Sequence, residues 1–149
     1  MAELQTLDRM ECLRLLAANR FGRLAVNVNG QAPAIRPVNY VFDESSQSVI
    51  FRTGQGSKLY GLLASHKAAF EVDSIDLVNR TGWSVVMRGV VEEISDPREL
   101  RRLAQMPLDL WAPGEKSHWI RIRAGTVTGR RLIEPEAFAS GPPPSRPPQ

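Results

Sequence analysis

Two apolar runs that end in a glycine-rich turn constrain this chain more than any other stretch. Residues 34–42 read Ala-Ile-Arg-Pro-Val-Asn-Tyr-Val-Phe, and residues 49–53, beyond a polar turn, read Val-Ile-Phe-Arg-Thr. Gly54-Gln-Gly-Ser-Lys58 then opens a segment with Leu59, Leu62 and Leu63 on one helical face. A change from strand to helical periodicity across such a turn puts a helix start at the end of a sheet. Unpaired N–H groups and the positive dipole end make a helix start favourable for an anion. Ser57 suits the N-cap, and Arg36 on the neighbouring strand would join Lys58 as a second cation. Hydrogen bonds to charged groups contribute about 1.5–3 kcal/mol each, so Arg36, Ser57 and Lys58 together could hold one phosphate. The alternative is structural: Ser57 only caps the helix, and the two cations are solvated. The turn is half a nucleotide-binding loop. It lacks the spacer before Gly-Ser-Lys, and Leu59 stands where a metal-binding hydroxyl belongs, which argues against nucleotide hydrolysis.

Around this stretch the chain reads mostly as strands in hairpins. Residues 1–6 look like a loose leader. Asp8 and Glu11 have capping-box spacing, and Met10, Leu13, Leu16 and Ala17 form a helical stripe to about Asn19. A strand over 21–28 follows, then Asn29-Gly30, the dipeptide of a type I′ hairpin turn. The returning strand, 31–42, contains Pro33 and Pro37, which require an edge, a bulge or a ligand beside them. Further strands are expected at 48–53, 68–73 and 83–94, the last with Gly89 as a bulge, and 74–82 reads as loop. Asp96-Pro97-Arg98-Glu99 starts a short helix to about Gln105. A final strand region covers 119–123 and 126–132. The fold class is therefore mainly β with short helices: six strands of an antiparallel β-barrel. One domain over residues 1–139 is expected, followed by a disordered Pro-rich tail over 140–149.

Several function classes lose their footing. Cys12 is the sole cysteine, which rules out an internal disulfide or a cysteine metal cluster and fits a reducing, cytoplasmic setting. No run approaches the ~18 apolar residues of a membrane span, and no signal-peptide pattern is present. The net charge of +3 is a weak pull on anions. Arg121, Arg123, Arg130 and Arg131 crowd the last strands, but few exposed aromatics accompany them for stacking bases, so no nucleic-acid partner is expected. His66 and His118 lie apart without metal-ligand spacing, and His66 suits the end of the helix begun at residue 57. No nucleophile–base set and no paired carboxylates emerge, so no catalytic side chain is assigned. Any catalysis would lean on a cofactor. Trp83 at a strand start suits core packing, an interface or a flat cofactor ring.

Four segments, in order and at this spacing, carry a resemblance: Arg36-Pro-Val-Asn-Tyr40, Phe51-Arg-Thr-Gly-Gln-Gly-Ser-Lys58, Gly82-Trp-Ser-Val-Val-Met-Arg-Gly89 and Val127-Thr-Gly-Arg-Arg131. Over roughly residues 7–133 the chain resembles the pyridoxamine 5′-phosphate oxidase-like family of flavin-binding split barrels. The nearest branch is the one with nitroimidazole-resistance-related and uncharacterised actinobacterial members. The resemblance implies a six-stranded split barrel, a homodimer, and FMN in a cleft at the subunit interface. By position, Arg36, Pro37, Val38, Asn39 and Tyr40 would line the flavin. Thr53, Ser57 and Lys58 would hold its phosphate with Arg36, and Trp83 and Ser84 would contact it, sometimes from the second subunit. Arg130 or Arg131 would supply a C-terminal contact. Vitamin B6 oxidases of the family end in Arg-x-His. Here Gly129-Arg-Arg-Leu-Ile133 has no histidine, which argues against that substrate. The implied activity is a flavin-dependent oxidoreductase acting on a small planar molecule. A non-enzymatic or sensory protein binding flavin, deazaflavin or haem is the alternative.

Overall fold

The computed structural model describes residues 2–27 and 30–134, the side chains of Ser57, Lys58 and Tyr60 excepted. The expected Asn29 of the hairpin turn, the end of the domain at 139 and the tail over 140–149 lie outside the described residues. The described residues form eight strands and three helices. They are β1 (Glu3–Leu7), α1 (Arg9–Ala18), β2 (Phe21–Val26), β3 (Ala34–Asn39), β4 (Val41–Asp43), β5 (Ser48–Thr53), α2 (Ser57–Ser65), β6 (Lys67–Asp76), β7 (Thr81–Glu93), α3 (Pro97–Leu103) and β8 (His118–Ile133).

All pairings are antiparallel, in the order β3-β2-β6-β7-β8-β5-β4, with β1 on the far stretch of β8. The two ends of that path are consecutive in the chain. β3 bonds β2 up to Asn39 and β4 bonds β5 from Val41, so the strand expected over 31–42 changes partner at Tyr40 and closes the sheet into a split barrel. Tyr40 is 0% exposed. Its N–H donates to Arg20 O at 2.9 Å, its hydroxyl donates to Leu16 O at 2.6 Å, and its ring meets Phe70 edge-on at 4.8 Å. Burial pushes the phenol well above its ordinary pKa, so it remains a donor at any ordinary pH. β3 is at the edge of the path, where its one proline, Pro37, is tolerated, and Pro33 lies just before it.

Alternation fills the barrel. Leu24, Phe70, Val85, Met87, Phe51 and Ile122 face inward, and α1 closes one end with Cys12, Leu15 and Leu16. The stripe expected on α1 is rotated, because Met10 is 81% exposed. A second, smaller core of Val41, Ile50, Ile94 and Leu103 lies outside the barrel under α3.

Four further expectations change. The leader is β1, whose residues Glu3 to Leu7 pair with Ile133 to Gly129. β6 and β7 extend their ladder to Asp76↔Thr81, which removes most of the expected 74–82 loop. The last strand is continuous, with the register shift between Arg88 and Gly89 absorbed where Gly125 adds one residue to β8. No side chain fits at Gly89, where a Cβ would stand 1.8 Å from Arg123 O. The count is thus eight strands rather than six, because β1 joins and the 31–42 strand divides. Both capping boxes are half formed. Asp8 and Asp96 accept from Glu11 N and Arg98 N, but Glu11 turns to Arg14 and Arg131 and Glu99 to Arg102 and Arg121.

α3 is fastened by charge as well as by packing. Arg102 grips Asp43 through Nη1–Oδ1 at 3.0 Å and Nη2–Oδ2 at 2.8 Å, and Ser45 and Ser46 donate to the same carboxylate. These donors, Arg102 first, hold Asp43 far below the ordinary carboxylate pKa. A depressed pKa contributes stability that is complete above the unfolded value, about 3.9, and is lost as pH falls through the folded one. Denaturant melts of the wild type should therefore weaken progressively below about pH 4, and Asp43→Asn should flatten that acid slope while lowering stability at neutral pH. Tyr40→Phe, which leaves Leu16 O the longer bond from Asn19 N at 3.4 Å, should cost about 0.5–1.5 kcal/mol in the same melts.

Candidate functional site

The barrel opens where β3 and β5 part. β4 and β5 pair as Val41↔Ile50, Phe42↔Val49 and Asp43↔Ser48. Continued backwards, that register would set Val38 level with Thr53 and Arg36 level with Gln55, but β3 bonds only β2. The seam therefore has Arg36 on one lip and Thr53 and the glycine-rich turn on the other, and it ends at the start of α2. The Arg36 side chain is exposed and has no ion pair or hydrogen bond among the described residues. Thr53 is buried, with Oγ1 donating to Gly54 O at 3.3 Å. The N-cap of α2 is Gly56 rather than the expected Ser57, which is the first helical residue. At φ 150° Gly56 has backbone freedom that other residues lack, and no side chain caps the helix. Backbone donors of the first turn thus have no side-chain cap among the described residues, an arrangement that suits a phosphate.

The rest of Arg36–Tyr40 divides by strand parity. Val38 and Tyr40 are core residues, so their side chains are committed inward. Pro37 lies opposite Arg23, and Asn39 opposite Phe21, on the outer side of the sheet. Arg23 there holds Glu71 and Asp73 together, each at 3.1 Å, and burial, then Asp73, raises the Glu71 pKa.

Trp83, Ser84, Arg130 and Arg131 form a second group. Trp83 pairs with Arg131 and Ser84 with Arg130 across β7–β8. A cleft of about 580 Å³ there is lined by Trp83, Gly82, Ile75, Arg131 and Leu132 among others. Arg131 is tied to Glu11 at 3.1 Å, and hydrogen bonds from Arg14 and then Arg131 hold the Glu11 carboxyl down to about 2. The two groups lie far apart along β8. Thr53 is opposite His118 and Ser84 opposite Arg130, and twelve residues of β8 at ~3.3 Å each make a path of about 40 Å between them.

The other candidates resolve individually. His66 is the C-cap of α2 in the left-handed region, φ 56°, its N–H donating to Leu62 O. His118 Nδ1 lies 2.5 Å from Glu93 Oε1, an imidazole–carboxylate pair that sequence spacing could not reveal because it forms across β7–β8. No three metal-ligating side chains gather among the described residues. Of the four arginines on β8, Arg121 is 6% exposed and bound to Glu92 and Glu99, Arg123 to Glu92, and Arg131 to Glu11. Three of the four thus have carboxylate partners.

Sequence reasoning passed over the α3–β8 connection, residues 104–117. It lies against both lips of the seam. Trp111 N donates to Asn39 Oδ1 at 3.1 Å, Arg52 Nε donates to Lys116 O at 2.9 Å, and Glu115 O sits where a Cβ on Gly54 would be 2.8 Å away. Trp111 stacks on Phe21, and Arg52 lies over Trp119. These contacts join residues more than sixty positions apart, so no local pattern encodes them.

A family model described as pyridoxamine 5′-phosphate oxidase matches residues 8–131. An uncharacterized protein of Mycobacterium tuberculosis is 36% identical over 136 residues, which is 88% of this chain and 87% of that protein. The crystal structure of a FAD-binding protein from Mesorhizobium loti superposes with a TM-score of 0.71 at 31% identity, covering 86% of this chain and 97% of the other. A putative 5-nitroimidazole antibiotic resistance protein from Bacteroides thetaiotaomicron shares the fold, with a TM-score of 0.71 at 15% identity and 89% of each chain covered.

The anchor of the connection is testable alone. Asn39→Ala should speed hydrogen exchange at the Trp111 amide by roughly 2–10-fold, the equivalent of one lost hydrogen bond, while leaving exchange in β6 and β7 unchanged.

Proposed function

Because the chain belongs to the pyridoxamine 5′-phosphate oxidase family, we propose that it binds a flavin, as FMN, and uses it to exchange hydride or electrons with a small planar substrate. The observation that carries this reading is the seam, which has Arg36, its side chain without a partner among the described residues, on β3 and a helix start without a side-chain cap after β5. Arg36, the first-turn N–H groups of α2, Ser57 and Lys58 would hold the phosphate, with Thr53 shaping the floor. A FAD-binding relative at 31% identity supports a flavin ligand for the fold at this level of similarity. When bound, the flavin supplies the redox chemistry, and the chain contributes binding, orientation and exclusion of water. Vitamin B6 oxidation is not part of the proposal, because residues 129–133 lack the histidine of the Arg-x-His ending.

The working unit is a homodimer in this reading. The Trp83–Arg131 group lies about 40 Å along β8 from the seam, and a second copy could bring its equivalent group there. The outer sheet face offers a surface for that contact. Ile35, Ala25 and Ala69 lie in one cross-strand row, with Ile35 exposed, and small side chains let two sheets approach closely. The cytoplasm, where Cys12 would stay reduced, is the proposed setting.

Purified protein reconstituted with FMN should show flavin absorbance near equal stoichiometry. Arg36→Ala and Lys58→Ala should each weaken FMN at least tenfold, about 1.4 kcal/mol, by titration calorimetry. Unchanged affinity in both variants would overturn the phosphate assignment. Bound flavin without turnover, with nicotinamide or dithionite as donor and a panel of acceptors, would leave a cofactor-binding or sensory role instead.

A further inference from the structure

The exposed aromatic pair beside the seam has no role in the flavin-phosphate cradle. Trp111 and Phe21 stack with centroids 5.1 Å apart and planes 12° from parallel. Phe21 is 37% exposed and Trp111 65%, so one face of the indole is spent on Phe21 and much of the remaining surface meets solvent. The pair is held in place rather than draped. Phe21 is fixed in the β2–β3 ladder opposite Asn39, Asn39 accepts from the Trp111 N–H, and the far end of the connection is tied to Arg52. A large aromatic fixed in orientation with a face open is a stacking platform for another planar ring.

Its position relates it to the phosphate lip. Asn39 is three residues from Arg36 along β3, an interval of about 10 Å, which a sugar-like linker between a phosphate and a ring can span. Arg36 pairs with Leu24 on the inner side, and Asn39 with Phe21 on the outer side. A ligand touching both must cross the free edge of β3, and β3 is terminal in the sheet path, with β2 its one partner.

We propose that the Phe21–Trp111 stack is a subsite for a second planar ring, distinct from the isoalloxazine. The ring is either the adenine of a flavin dinucleotide or the ring of a planar substrate. The proposal deepens the flavin reading above and rests on it for the identity of the neighbouring phosphate, while the ring-stacking property belongs to this chain's own residues.

The test titrates FMN, FAD and the planar quinone menadione into wild-type full-length protein, Trp111→Ala and Trp111→Phe. Far-UV circular dichroism and melting confirm the fold of each. Stacking on one aromatic side chain predicts a loss of roughly five- to hundredfold in Trp111→Ala, largely restored in Trp111→Phe. A loss confined to FAD supports the subsite with adenine as its ring, and a loss confined to menadione supports it with a substrate ring. Equal losses for FMN and FAD would place Trp111 in the isoalloxazine site itself and overturn the proposal, as would no change for any probe. A change of sedimenting mass in Trp111→Ala, with ring binding intact, would make the stack a contact between copies and also overturn it. Failure of wild type to bind either flavin refutes the flavin reading separately. In that case a Trp111-dependent menadione affinity keeps the subsite, and its absence removes both.

Discussion

The change of partner at Tyr40 is the constraint on which the rest of the molecule depends. One residue separates the last bond of β3 to β2 from the first bond of β4 to β5, so the strand that ends the sheet on one side also begins it on the other. A backbone changing partner between two strands risks leaving polar groups unpaired in an apolar interior, which is costly. Tyr40 avoids this with its N–H on Arg20 O and its hydroxyl on Leu16 O. Those two acceptors belong to the end of α1 and the link after it, so the bond that closes the barrel also seats its first helix. The seam opens on the N-terminal side of that point. The candidate binding lip is therefore a consequence of how the barrel closes.

A second dependence links α3 to the barrel. Asp43 ends β4, Arg121 is on β8, and Arg102 and Glu99 are on α3, and their charges form one connected cluster. Arg121 and Asp43 are almost fully covered. Buried charges contribute through geometry more than through raw attraction, since desolvation offsets much of the Coulomb gain. Here the geometry is good, with a bidentate guanidinium on Asp43 and two hydroxyl donors completing its shell. Fixing α3 fixes where the connection after it begins. That connection in turn lies along both lips of the seam and carries Trp111.

The site separates by how its parts are encoded. The helix start after the glycine-rich turn was legible because it is a local object: Gly54 to Lys58 and Leu59, Leu62 and Leu63 are close together in the chain. The N-cap moved by one residue, from Ser57 to Gly56, because the φ of 150° there demands glycine. The Glu93–His118 pair and the Asn39–Trp111 anchor join residues 25 and 72 positions apart, and the register of β7 with β8 and the path of the connection decide them. The half-formed capping boxes follow the same rule. Asp8 and Asp96 kept their local bonds, while Glu11 and Glu99 were drawn to Arg131 and Arg121 on β8, charges that are far off in sequence and close in space.

By itself the sequence determined the mainly-β character, three helices, an irregularity at Gly89, and the need of the Pro37 strand for an edge, a bulge or a ligand beside it. Each of these rests on alternation, on a turn residue or on a missing N–H, properties that act within a few residues. Tertiary structure alone decided that residues 3–7 form a strand, since β1 is exposed along most of its length and exists by pairing with the end of β8. It also decided where the barrel splits. The two runs around Ala34 and Val49 would pair along their whole length if pattern alone ruled. Tyr40, anchored to α1, holds the first of them to β2 instead, and the seam beside Arg36 is the space that this leaves.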